Sequence, residues 1–356
     1  MRIVLATFGS YGDLDPFIWM GRTLQKAGHE IFLIANPYFE ERIKSEGFQF
    51  YPAGTVEDYQ TAVTPAVVTG NRFRDQGGAI EASQRLFTYM FLKPVRETYE
   101  TIAGLNSNAG AKDLVIIHHF FAYGARLAAE KLQVPGFNVC LAPYWLRGLK
   151  KAGDMATWME NGMAQFNNRF VDRILFTKPF NRLRGEIGLP PLKQSSSEWM
   201  FSGKNLGLFP EWLHDFEVAD GLKLDYVGFP EANPSNQPLP ERLREFLNRY
   251  PQPVVFTPGS AVTDSSRFLS EAAEALEKLN LPGIFLTRFP EKLPPGLPER
   301  IMRLDFVPLN LLLDHCGAIV HHGGIGTTAQ ALKCGTPQLI CYRMAEQADN
   351  ARWLKR

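Results

Sequence analysis

Three short stretches of this chain hold the residue types that could do chemistry. The first is Val320-His321-His322-Gly323-Gly324-Ile325-Gly326-Thr327-Thr328. A β-rich run, Ala318 to Val320, leads into it, and Ala329 to Cys334 read as a helix that Gly335 stops. Strand, glycine turn and helix start leave unpaired backbone N–H groups and a positive helix end aimed at one point. Glycines let a ligand's oxygens approach the main chain, the threonines can cap the helix or bond an anion, and an imidazole adds a donor. His322, Gly324, Gly326 and Thr327 are therefore read as a phosphate site; the competing reading is a tight turn whose glycines serve sterics alone.

The second stretch is Phe8-Gly9-Ser10-Tyr11-Gly12-Asp13-Leu14-Asp15-Pro16. It lacks the G-x-G-x-x-G spacing of a dinucleotide fingerprint. Asp13 and Asp15 spell D-x-D, which can hold a metal-bound diphosphate. Asp15 followed by Pro16 is a better N-cap and first-turn pair for a helix from Phe17 to Lys26, leaving Asp13 as the carboxylate for chemistry and no metal site. The third stretch is His118-His119-Phe120-Phe121, which could line an acceptor pocket or move a proton; paired histidines at a strand end are also commonly buried, hydrogen-bonded polar residues.

The elements that must position these stretches alternate. Strands are predicted at Ile3–Thr7, His29–Ala35, Phe48–Tyr51, Leu114–His118, Phe137–Cys140, Ser202–Phe209 and Leu224–Val227, with helices between them. Pro94 should kink or divide a long helix over Ile80–Leu105. Residues 59–76 read as a loop over a cleft. The proline-rich, polar run from Pro230 to Pro240 is the clearest linker. After it the alternation restarts: Val254–Thr257, Gly283–Leu286, Ile301–Leu304, Ala318–Val320 and Gln338–Tyr342 are strands, with an amphipathic helix over Arg267–Leu279. The pattern predicts two doubly wound α/β domains, residues 1–229 and 253–356, joined by a linker over 230–252. In such sheets ligands sit beyond the carboxyl ends of the strands, where all three stretches fall.

Composition narrows the class. With 356 residues and 45% apolar content there is enough chain for two cores, and a net charge of +1 argues against a nucleic-acid partner. Four cysteines, with no C-x-x-C pair, read as reduced thiols of a cytoplasmic protein. The N-terminus runs straight into a strand, and no leader or membrane-spanning run is expected. The segment 145–184 is rich in aromatic and basic residues, with Phe166, Phe170 and Ile174 on one helical face. An acceptor role for its aromatics, Trp145 among them, is reasonable. Peripheral contact with an anionic membrane is weighed against a packed helix with a solvated basic face, and the packed helix is preferred.

Taken together, G-S-x-G-D-x-x-P over Gly9–Pro16 and V-P, H-H-G-G-x-G-T-T and an acidic-Gln pair over Phe306–Gln347 resemble the two-Rossmann-domain (GT-B) glycosyltransferases of family one. These are the sterol, macrolide and glycopeptide enzymes and the wider UDP-glycosyltransferase superfamily. The resemblance runs along the whole chain. It implies two domains facing across a cleft, the first binding the acceptor and the second a UDP- or dTDP-sugar. On it, Asp13 stands where these enzymes place the general base. Ser260 would bond the diphosphate, Phe306 would stack on the base and the Val307 backbone would bond its edge. His322, Gly324, Gly326 and Thr327 would hold the phosphates, and Glu346 and Gln347 the sugar hydroxyls. Gly12, His118, His119, Phe120 and Trp145 are weaker acceptor-pocket candidates. Three departures stand out: Leu309 where many relatives have Gln, Glu346 in place of Asp, and a chain that stops before the family's last helices, as a truncated piece would.

The expected reaction is an inverting, metal-independent transfer of a hexose to a hydroxyl of an apolar small-molecule or lipid acceptor, with no cofactor besides the nucleotide sugar. An aspartate is a weak base in water, its ordinary pKa being about 3.9, so this role needs a positioned acceptor and exclusion of water. The alternatives are a nucleotide-sugar epimerase, a polyprenyl-lipid-linked sugar transferase on the same frame, and a non-catalytic nucleotide-sugar-binding protein. Neither half carries a dinucleotide fingerprint for an oxidoreductase. Acceptor, sugar, nucleotide and oligomeric state are not legible in the residues.

Overall fold

The computed structural model describes residues 1–63, 85–107, 113–149, 177–193, 196–218, 221–230, 238–259, 265–343 and 345–355. The chain divides into two compact units, the change falling between Pro230 and Glu231.

In the first unit β1 (Arg2–Ala6), β2 (Glu30–Ala35), β3 (Gln49–Pro52), β4 (Leu114–His119), β5 (Gly136–Cys140), β6 (Lys204–Gly207) and β7 (Lys223–Tyr226) form one sheet. Their order is β3-β2-β1-β4-β5-β6-β7, and every pairing is parallel. Parallel strands are covered on both faces, which is why β1 reads as an unbroken apolar run: Ile3, Val4, Leu5 and Ala6 are all buried. The helix Tyr11–Lys26 follows β1 and buries Leu14, Phe17, Ile18 and Met20. Gly21 lets that helix lie close to its neighbours, since a Cβ there would come 2.8 Å from the Phe48 ring.

Two local expectations are revised. The first helix starts at Tyr11, not Phe17, and its N-cap is Ser10; Pro16 lies inside the helix. Asp15 is not a cap: its side chain is exposed and lies 3.9 Å from Arg42. The sequence signal was the S-x-x-D spacing of Ser10 and Asp13, a capping box that outranks an Asp-Pro pair. Pro94, by contrast, divides its helix as expected. A π-helical turn, Phe87–Leu92, precedes it and a regular helix, Val95–Ser107, follows.

The second unit carries β8 (Val254–Thr257), β9 (Gly283–Leu286), β10 (Ile301–Leu304), β11 (Ala318–His321) and β12 (Gln338–Ile340), ordered β10-β9-β8-β11-β12 and again all parallel. Strand period sorts its core into two layers. Val255, Ile284 and Ile319 join Leu243, Leu312 and Ala331 on one face, while Phe256, Phe285 and Val320 join Leu269 and Leu276 on the other. Each of these side chains except Ala331 contributes roughly 1.5–3 kcal/mol on full burial. Within the stretch read as linker, Glu241–Arg249 is a helix whose Leu243 and Phe246 belong to this core.

Both sheets reverse their strand order once: between β1 and β4 in the first unit, and between β8 and β11 in the second. A reversal sends the two flanking crossovers to opposite faces and opens a crevice at the carboxyl ends of those strands. The Gly9-Ser10 turn and the helix start bearing Asp13 follow β1, His119 ends β4, Gly259 follows β8 and His322 follows β11.

Candidate functional site

In the first unit Asp13 is the third residue of its helix, and the capping box fixes it. Its Oδ2 accepts from the Ser10 backbone N–H at 2.6 Å and from the Ser10 hydroxyl at 3.0 Å, while Ser10 Oγ accepts from Gly12 N–H. Gly9, at φ +141°, is required here: a Cβ would overlap the Asp13 carboxylate. The carboxylate sits at the positive end of a helix, a location that favours negative charge. Pro16 has no N–H to offer the Gly12 carbonyl, so the first turn keeps an acceptor uncommitted by the helix.

The other carboxylate oxygen, Oδ1, faces His119 Nε2 at 3.7 Å, because β1 and β4 are neighbours with Ala6 opposite His118. His119 is buried, and burial pushes its pKa below the usual imidazole value; the Asp13 charge and the Phe8 backbone oppose that shift without reversing it. Its ring lies edge-on to Phe17 and Phe121. Phe121 in turn stacks on Phe91 at 4.2 Å and meets Trp145 edge-on at 5.0 Å, with Phe120 at 4.8 Å. An aromatic wall thus adjoins the Asp13–His119 pair. His118 is not part of it. Strand alternation turns it to the opposite sheet face, where burial holds its pKa at about 3 and its Nδ1 bonds the His119 carbonyl at 3.3 Å. The two adjacent histidines therefore belong to two different environments.

In the second unit the helix Ile325–Cys334 starts at Gly324 with no side-chain cap, so its first N–H groups are left to other partners. His322 stands beside that start. A Cβ on Gly324 would come 2.5 Å from its Nε2, and a Cβ on Gly259 would come 2.9 Å from its ring. Both glycines are thus explained by the imidazole packed between them. Gly323, at φ +89°, makes the turn itself. Gly326 differs: it is exposed, and a Cβ there would meet nothing within 4 Å, so no packing in the described chain demands a glycine. His322 Nδ1 has no hydrogen-bond partner among the described residues. Burial, then neighbouring His321 and Arg343, lower its pKa to about 4.

His321 has a structural task instead. Its Nδ1 accepts from Gly323 N–H at 3.1 Å and its Nε2 meets Gln338 Oε1 at 3.0 Å. From the helix Ala345–Trp353, Gln347 Oε1 accepts from Arg343 N–H, and the buried Asn350 donates from Nδ2 to the Gly323 carbonyl at 2.9 Å. Sequence reasoning reached Glu346 and Gln347 but missed Asn350. Its signal was the i,i+3 spacing from Gln347, which puts both on one helical face toward the glycine turn. Phe306 is 69% exposed while its neighbour Val307 is buried, so the ring stands clear of the core at the end of β10. Thr327 is half-buried in the first turn of the loop helix. Ser260 and residues 150–176 of the aromatic, basic segment lie outside the described residues.

Two parallel α/β units, each with its polar loops at a strand-order reversal, define the GT-B architecture. Comparison with known proteins agrees along the chain. Residues 3–149 match the glycosyltransferase family 28 N-terminal domain, and residues 289–355 match the C-terminal domain of erythromycin biosynthesis protein CIII-like proteins. A sterol 3-beta-glucosyltransferase of Arabidopsis thaliana is 26% identical over 96% of this chain, which spans 54% of that relative's length. O-mycaminosyltylonolide 6-deoxyallosyltransferase of Streptomyces fradiae is 26% identical over 100% of the chain and 83% of its own length. Among solved structures, the glycosyltransferase of kitacinnamycin superposes with a TM-score of 0.71 at 18% identity, covering 99% of this chain and 84% of that one. VinC, solved with dTDP, gives 0.68 at 20% identity, covering 100% and 84%. The two domain matches and these relatives support a family-one glycosyltransferase of the UDP-glycosyltransferase superfamily.

Proposed function

We propose that this protein moves a hexose from a UDP- or dTDP-sugar to a hydroxyl of an apolar small molecule or lipid, with inversion and without a metal. The first unit serves the acceptor and the second the donor. The observation that carries the reading is the uncapped helix start at Gly324 with His322 Nδ1 unpartnered beside it. Backbone N–H groups and an imidazole gathered there suit a diphosphate. That VinC was solved with dTDP and that relatives include sterol and macrolide transferases supports the donor and acceptor classes.

In the proposed reaction Asp13 takes the proton of the acceptor hydroxyl as that oxygen attacks the anomeric carbon. The bond from that carbon to the diphosphate breaks, and the diphosphate leaves with the electron pair toward the His322, Gly324, Gly326 and Thr327 loop. Attack opposite the leaving group inverts the centre. Phe306 stacks on the nucleobase with the Val307 main chain at its edge, Ser260 adds a diphosphate contact, and Glu346 and Gln347 hold the sugar. Gly12, His119, Phe120 and Trp145 border the acceptor, whose apolar character matches the aromatic wall beside Asp13. His118, turned to the other face, has no part in this reading.

His119 is a positioning residue on this reading: its Nε2–H faces Asp13 Oδ1, at a separation that can tighten once an acceptor is bound. His119→Leu should lower kcat by about tenfold or more, as loss of a hydrogen bond to a charged group predicts, with donor affinity unchanged. His119→Gln, which restores an N–H, should recover part of the loss; equal defects in both variants would reduce His119 to packing.

The reading as a whole is tested by incubating the protein with UDP- and dTDP-hexoses and a panel of sterols and macrolide aglycones, with NMR assignment of the anomeric centre. Failure to bind any nucleoside diphosphate would end it. EDTA should leave the rate intact. A rate lost to EDTA and restored by Mg²⁺ would bring back the metal reading of Asp13 and Asp15.

A further inference from the structure

We infer that a second, separate site lies in the first unit, in the cavity between the β4–β5–β6 face and the helix Tyr123–Leu132, and that it binds a small protonated oxyanion, hydrogen phosphate being the probe. The cavity of about 90 Å³ is lined by His118, Arg126, Asn138 and Met200, with Gly136 and Gly203 giving it room. A single water occupies roughly 10–15 Å³ on this measure, so the space is several waters in size and well short of a nucleotide.

Three features mark it as built. The first is a polar row where a parallel sheet ordinarily carries apolar side chains. His118, Asn138 and Asn205 stand opposite one another on β4, β5 and β6, and all three are buried. Asn205 is satisfied, since its Nδ2 reaches the Phe201, Gly203 and Lys223 carbonyls and its Oδ1 accepts from Asn138 Nδ2 at 2.9 Å. Asn138 is not: its Oδ1 has no partner among the described residues, although the residue is only 2% exposed. Burying an unpaired amide oxygen costs about 1–3 kcal/mol in proteins, so an occupant that donates a hydrogen bond is favoured.

The second feature is charge. Glu130 accepts from Arg184 at 2.9 and 2.7 Å and from Trp199 Nε1 at 2.7 Å. Arg126, one helical turn from Glu130, makes no ion pair within 4 Å among the described residues. Its guanidinium lies over the Trp199 ring and donates to Ser202 Oγ at 3.2 Å, leaving Nε–H unpartnered. Two guanidiniums against one carboxylate leave these three side chains one positive charge in excess, which an anion beside Arg126 would neutralise. The third feature is the form of His118. With Nδ1–H given to the His119 carbonyl, its neutral ring keeps Nε2 as an acceptor. The lining therefore combines a cationic donor, Arg126, with acceptors on Asn138 and His118. An oxyanion that also carries a hydroxyl satisfies that set; sulfate, which has no proton at neutral pH, does not. Lys204 also lines the cavity, but its ammonium lies over the Phe137 ring on the other face.

Calorimetric titration of the full chain with inorganic phosphate, in the presence of saturating UDP to fill any phosphate site at the His322 loop, tests this. A saturable one-to-one isotherm is expected, unchanged in His322→Ala and at least about tenfold weaker for sulfate, the scale of one lost hydrogen bond to a charged group. Arg126→Gln should abolish it, and Arg126→Lys should retain a weakened form. Absence of phosphate binding by the wild-type protein under UDP, or equal affinity for sulfate, overturns the assignment without reference to any variant. Binding that vanishes in His322→Ala but survives in Arg126→Gln overturns it too, because the ion would then belong to the glycine loop.

Discussion

Asp13→Asn should bind UDP and dTDP as the wild type does and transfer sugar about a hundred- to ten-thousand-fold more slowly, the range that a positioned general base supplies. The substitution is close to isosteric. The asparagine carbonyl can still accept from Ser10 N–H and Oγ, so the capping box and the first helix survive. What disappears is the oxygen facing His119 and, with it, an acceptor for the hydroxyl proton. Single-turnover rates with calorimetric donor affinities separate the two effects. Transfer at wild-type rates by Asp13→Asn would remove Asp13 as the base and leave the acceptor half of the proposal without a residue to do its chemistry.

The second large effect concerns the opposite end of the broken bond. His322→Ala should weaken UDP binding by about ten- to a hundredfold, the scale of one hydrogen bond to a charged group, with no direct effect on the acceptor. The pH dependence carries a distinct signature. His322 is held neutral, with a pKa of about 4 in the free protein. A diphosphate beside it favours the protonated ring, so binding should take up a proton and tighten as pH falls from 7. Stability should run the other way. Between pH 6.5 and about 4 the unfolded chain binds the proton that the folded imidazole refuses, so this residue's contribution falls as pH falls through that window. Calorimetry in buffers of different ionisation enthalpy measures the uptake. A pH-independent UDP affinity that is also insensitive to His322→Ala would place the diphosphate elsewhere.

Much of this molecule could be read from residue order. All twelve described strands overlap the predicted ones; central strands such as β1 and β2 are near-continuous apolar runs because a parallel sheet covers them on both faces, whereas β3, β6 and β7 carry polar residues as well. The glycine loop before Ile325 and the break at Pro94 were legible for equally local reasons: only certain backbones accept those residues. The start of the first helix was legible too, in Ser10 and Asp13, but Asp15-Pro16 is a competing start signal of the same kind, and the choice between them was settled by a carboxylate folding back over Gly9.

Residue order by itself determined which segments are strands, which loops carry chemistry-bearing side chains, and that two α/β units succeed one another. Tertiary structure alone decided which of those loops meet. His119 reaches Asp13 because β4, more than a hundred residues away, inserts beside β1; Gly259 cradles His322 because β11 pairs with β8. It also parted His118 from His119 and set Asn350 under the glycine turn. The physical reason is the same throughout. A strand's apolar pattern states that it must be buried, and its period of two states which side chains share a face, but neither names the neighbouring strand; that is chosen by how all the faces of a sheet are covered at once.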